Sequence, residues 1–149
     1  MPASSAGKVV YFATILHAQR LKVAALLDAD GAGDKAAQQD VLVHTLGQKG
    51  ILRTRDYVTG VAKAEIEDLL RHTLPLVARD ALGWDVVAQV AEQPGRPLVD
   101  IFSGVADFSK YKLAKAFPRW SRDHVAADLN QAERDQWSGL IGAINSALK

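Results

Sequence analysis

Asp28 and Asp30 stand one residue apart directly after the apolar run Leu21–Leu27, in the turn Asp28-Ala-Asp-Gly-Ala-Gly33. The run reads as a short buried strand, and Gly31 and Gly33 leave the turn free to bend. In open α/β sheets, ligands bind beyond the carboxyl ends of the strands. Two carboxylates so placed do not both give up water cheaply without a cation. Hard oxygen ligands of this kind suit Mg2+ or Mn2+. The pair is therefore a candidate divalent-metal site. The competing reading is structural, because Asp also favours turns and helix N-caps; Asp34, just before Lys35, is one candidate cap.

A second acidic group follows at Glu65, Glu67 and Asp68. On a helix Glu65 and Asp68 share a face, while Ile66, Leu69 and Leu70 supply the buried one. An acidic helix start favoured by the macrodipole gives the same pattern. If the two acidic groups converge, they could hold a pair of metals, an arrangement suited to in-line attack on a phosphodiester. The third group is basic: Lys110, Lys112 and Lys115, with Arg119, Trp120 and Arg122 beyond. A lysine beside the metals would stabilise charge developing on the transferred phosphoryl group. The longer basic and aromatic run also suits a phosphate backbone, and a solvated lysine-rich helix face remains the alternative.

Other chemistries lack their residues. The four histidines, at 17, 44, 72 and 124, show no metal-binding spacing and read as structural or surface groups. Ser103-Gly104 is not in a nucleophile-elbow context, and Gly31-Ala-Gly33 is not followed by the Gly-Lys-Ser/Thr of a phosphate-binding loop. There is no cysteine, which removes disulfides and thiolate chemistry and fits a reducing cytosol.

The elements that must position these groups follow from periodicity. Val9–Phe12 reads as a strand remnant, Ala13–Arg20 as a short helix and Leu21–Leu27 as the clearest strand. Asp34–Leu46 reads as one helix stopped by Gly47. Ile51–Val58 is a half-exposed strand broken by Gly60, and Ala62–Leu70 and Thr73–Leu82 are helical, the latter ended by Gly83. The Glu92–Pro97 stretch is the strongest loop signal and precedes a more helical C-terminal portion. Phe108–Phe117 is a basic helix. Gln131–Leu148 closes the chain, its stripe of Trp137, Leu140, Ile141, Ile144 and Leu148 facing the core or, alternatively, a second copy of the chain. Strands alternating with helices predict an α/β layered fold.

The 149 residues fit one domain, with residues 1–7 as a flexible leader and 8–149 as the folded unit. Hydrophobic residues make up 48% and charged residues 23%, which argues against disorder. The net charge of +1 neither demands nor excludes nucleic acid. No apolar stretch is long enough for a membrane span, and no secretory signal pattern is evident.

Leu26-Leu-Asp-Ala-Asp-Gly-Ala-Gly33, Ala64-Glu-Ile-Glu-Asp-Leu-Leu70 and Phe108-Ser-Lys-Tyr-Lys-Leu-Ala114, in that order, resemble the Toprim domain of the OLD (overcoming lysogenization defect) family nucleases. The resemblance runs from about Lys22 to the C-terminus. It implies a Toprim-like Rossmannoid parallel sheet flanked by helices, acting as a metal-dependent DNA endonuclease domain of a cytoplasmic protein that also carries an ATPase domain. It implies Asp28, Asp30, Glu65 and Glu67 as ligands of Mg2+ or Mn2+, with Asp68 beside them, Glu67 also serving catalysis, and Lys110 as the transition-state lysine with Lys112 in reserve. Toprim domains begin with a strand ending in Glu-Gly, whereas nothing before Asp28 here is acidic. The resemblance therefore predicts a truncated homologue, and its alternative is a degenerate module that binds metal or nucleic acid without cleaving. A receiver-like α/β domain, with aspartates serving phosphorylation, is the third reading.

Overall fold

The computed structural model describes residues 5–149. Its architecture is mixed α/β and dominated by helices. A two-stranded parallel sheet pairs β1 (Ala25–Leu27) with β2 (Ile51–Arg53), in register Ala25↔Ile51, Leu26↔Leu52 and Leu27↔Arg53. Both strands are shorter than the apolar runs that announce them. β1 begins only after the chain reverses at Arg20, which holds a positive φ of 60°. β2 ends where Thr54–Asp56 tightens into a 3-10 turn and the Thr54 hydroxyl donates to the Ala64 carbonyl.

Val9–Phe12 is not a strand. It lies inside α1 (Ala6–Ala18), where Val9 and Val10 pack against the buried Ala13, Leu27, Ala36 and Leu42. The β-branched pair reads as strand in isolation, and burial against a helical layer overrides that preference. Residues 1–4 of the expected leader lie outside the described residues, while Ala6 and Gly7 open α1. The helix expected over Asp34–Leu46 is two, α2 (Gly31–Ala37) and α3 (Asp40–Leu46), broken at Gln39, whose ψ is 121°. Ala36 and Leu42 are both buried. In one continuous helix they would point about 120° apart, so the break turns both toward α1.

The C-terminal portion follows the sequence more closely. α4 (Thr73–Leu82) carries Pro75 in its first turn and ends on Gly83 in the left-handed conformation, φ 71°. The short α5 (Val87–Glu92) and α6 (Leu98–Phe102) flank the expected loop. α7 (Lys110–Trp120) starts at the Ser109 cap, and α8 (Gln131–Ala147) starts at Asn130 with Glu133 completing a capping box. One core cluster joins α4, α6 and α7 through Leu74, Phe102 and Leu113, and a second lies between β2 and α8 through Leu52, Leu69 and Leu140. Trp137 packs against both. Leu140 of the α8 stripe is buried, but Ile141 is half exposed. Among the described residues no helix is long and apolar enough to cross a membrane.

Candidate functional site

The site forms where β1 ends. Asp28 follows Leu27 directly and the chain turns at once into α2. Asp30 is the N-cap of that helix, its Oδ1 accepting from the Gly33 amide at 2.6 Å. The turn is tight enough that a Cβ on Gly33 would stand 2.0 Å from the Asp28 carbonyl oxygen, so only glycine fits. Gly31 meets nothing within 4 Å and carries no such demand. An open cavity of about 670 Å3 between α1 and β1 is lined by both aspartates.

The second acidic group is not on an α-helix. Ile66–Leu70 forms a 3-10 turn, and Ala62 and Lys63 lie outside it. The cause is Asp68, which is fully buried and accepts from the Glu65 amide at 2.9 Å, the Leu98 amide at 2.9 Å and Arg71 Nη1 at 3.1 Å. Its carboxylate closes the turn and ties it to the start of α6. The structure therefore places Asp68 in the scaffold, apart from the cluster it neighbours in sequence.

Glu65 and Glu67 face the same lysine. Lys110 Nζ lies 2.5 Å from Glu65 Oε2 and 3.3 Å from Glu67 Oε1. Asp28 shares their field. Burial raises its pKa and the Glu65 charge adds to this, while Lys110 and the Ile66 amide pull it back. Burial likewise raises Glu67, with Lys110 opposing. Burial alone would lower Lys110, but Glu65 and Glu67 outweigh it and the net shift is upward. Glu67 Oε2 is buried and has no hydrogen-bond partner. Lys110 reaches the acids because the Ser109 cap sets it at the first position of α7. Lys112 and Lys115 are exposed further along that helix, without an ion pair among the described residues.

A backbone tie joins the two turns, and an arginine side chain pins the first of them to β2. The Ala64 carbonyl accepts from the Ala29 amide at 2.9 Å and from the Thr54 hydroxyl. Arg53, buried at the end of β2, donates Nη2 to the Asp28 carbonyl and to Asp34 Oδ1, both at 2.7 Å, and Nη1 to the Gly33 carbonyl at 3.1 Å. Asp34 is therefore not the cap of α2 but a partner of Arg53, with Arg55 Nη1 3.3 Å from the same oxygen. Arg53 is a positioning residue that the sequence reading passes over; an arginine closing an otherwise apolar strand is the signal for it.

As a cation site, the arrangement offers hard oxygen donors from Asp28, Glu65 and Glu67, and the orphaned Glu67 Oε2 is an acceptor that an ion would satisfy. Among the described residues no group of three or more acidic or histidine side chains is placed so that it could hold a metal ion; the Lys110 ammonium is the cation that Glu65 and Glu67 share. No protein-family model matches the chain, nor does any curated protein or solved structure.

Proposed function

We propose that this chain is a divalent-metal-dependent DNA endonuclease module of Toprim type. The observation that carries the reading is the convergence of Asp28, Glu65 and Glu67 around Lys110, from three separate segments, at the carboxyl end of a parallel strand. Such an edge is where α/β sheets present their chemistry. Asp28, Glu65 and Glu67 would hold Mg2+ or Mn2+, with Asp30 at the rim. A bound ion would supply Lewis-acid stabilisation of phosphoryl oxygens and an activated water. Glu67, whose pKa burial raises, is suited to act as the proton acceptor. Lys110 would hand its charge from Glu65 to the phosphoryl oxygens as negative charge builds there.

The tight Glu65–Lys110 pair favours a second reading, a module that binds metal or nucleic acid without cutting. Nicking of supercoiled plasmid separates the two. Wild-type protein should nick with Mg2+ or Mn2+ and not with EDTA. Asp28→Asn should lose both nicking and metal binding by calorimetry. Lys110→Met should keep metal binding while nicking falls at least about a hundredfold. Inactive wild-type protein that still binds metal supports the second reading; absence of metal binding overturns the metal site in either reading.

A further inference from the structure

α7 carries Lys110, Lys112, Lys115 and Arg119 and no acidic residue along its whole length, and Arg122 follows. Its inward face is fixed by the buried Leu113 and Ala116, with Phe117 and Trp120 partly covered beside them. Helical spacing then gathers Tyr111, Lys112, Lys115 and Arg119 on the outward face, and Arg122 lies in the turn just beyond the helix. All five are exposed, Tyr111 to 67%. Lys115 Nζ stands 4.5 Å over the Tyr111 ring. Among the described residues none of these four basic groups is in an ion pair, whereas Lys110 at the start of the same helix is held by Glu65 and Glu67. Asp107 and Asp123 flank the helix and close the basic face at either end.

We propose that this face of α7 is a docking track for the phosphate backbone of a nucleic acid, leading to the carboxylate cluster at Lys110. This rests on the nuclease reading for its direction, but on the unpaired charge alone for its existence. Clustered and unpaired cations, rather than net charge, are the footprint of a polyanion partner. Lys112 and Arg119 lie about 10 Å apart along the axis, a span of about three nucleotides of one strand. The exposed Tyr111 offers a stacking face to an unpaired base. A membrane surface fits less well, because a helix that lies in a bilayer needs its apolar face free, and that face of α7 is spent on the core.

The test is fluorescence anisotropy of labelled duplex and single-stranded DNA with the full chain in EDTA, across a salt series. Wild-type protein should bind, more weakly as salt rises. The variant Lys112→Glu/Lys115→Glu/Arg119→Glu should bind at least about tenfold more weakly with a flatter salt dependence. Lys8→Glu/Lys35→Glu/Lys49→Glu changes the charge equally on other elements and should stay within about threefold of wild type; circular dichroism checks both folds. Tyr111→Ala should weaken single-strand binding more than duplex binding. No DNA binding by wild type at low salt, or equal loss in the two triple variants, overturns the track. So does binding confined to phosphatidylserine vesicles. If binding depends on the α7 face but metal-dependent nicking is absent, the nuclease reading fails and the track stands. If the α7 variant nicks as wild type does, the track fails and the cluster stands.

Discussion

The two acidic turns solve the same problem in different settings. In the turn after β1, Asp30 caps α2 through the Gly33 amide and Asp28 is left to face the cluster. In the turn at Ile66–Leu70, Asp68 holds the Glu65 and Leu98 amides, and Glu65 and Glu67 are left to face Lys110. Each turn thus divides its acids between backbone and site. The difference lies in depth. Asp68 is buried with three donors, whereas Asp30 is exposed with one. A carboxylate's sequence neighbours do not reveal its role; the amides within its reach do.

That contrast is most exposed by Asp68→Ala. It strands two buried amides and Arg71, and should cost about 3 kcal/mol or more in urea unfolding. A cost below about 1 kcal/mol would mean that Asp68 does not close its turn. Next comes Gly33→Ala, whose Cβ would collide with the Asp28 carbonyl. It should cost about 2 kcal/mol and weaken metal binding, because the displaced residue carries a site carboxylate. Unchanged metal affinity would detach the turn's geometry from the site. Asp30→Ala removes a cap and should cost about 1 kcal/mol, with metal affinity falling less than in Asp28→Asn. The reverse ranking would make Asp30 the stronger ligand and the cap incidental.

The smallest effect sharpens the comparison through pH. Asp28, Glu67 and Asp68 all have raised pKa values, burial being the first cause in each. The folded state therefore holds protons that the unfolded state has released, so stability falls as pH rises from the ordinary carboxyl range through the raised values. Lys110 acts at the other end: its upward shift stabilises the fold below the ordinary lysine range and is lost as pH rises through the raised value. In EDTA, Glu67→Gln should flatten the acid-side slope of melting temperature against pH, leaving the share from Asp28 and Asp68. An unaltered slope would show that Glu67 titrates at its ordinary value.

Helices set by strong periodicity were legible in the sequence: α4 with Pro75 and Gly83, and α8, expected over Gln131–Leu148 and found over Gln131–Ala147. Elements set by tertiary demands were not. Val9 and Val10 look like strand until α1 packs on α2 and α3, and the break at Gln39 exists only because Ala36 and Leu42 must enter one core. At the site, Asp28, Glu65 and Glu67 could be named as candidates from type and spacing, while the resemblance singles out Lys110 from its lysine group. The choice of Lys110 over Lys112 depends on where Ser109 starts α7. The scaffold roles of Asp68, Asp34 and Arg53 depend on partners distant in sequence, so local pattern could not assign them.

The Ala64 carbonyl links the two turns through the Ala29 amide, and through Thr54 it links both to the strand behind them. Ala29 sits between the two aspartates and Ala64 sits immediately before Glu65. The protein thus gauges the gap between its acids across one hydrogen bond, not along the chain that separates them. Changes of length at the exposed Thr59–Gly60 should be absorbed without retuning the acids, as long as that oxygen and the Arg53 contacts to Asp28, Gly33 and Asp34 keep their place.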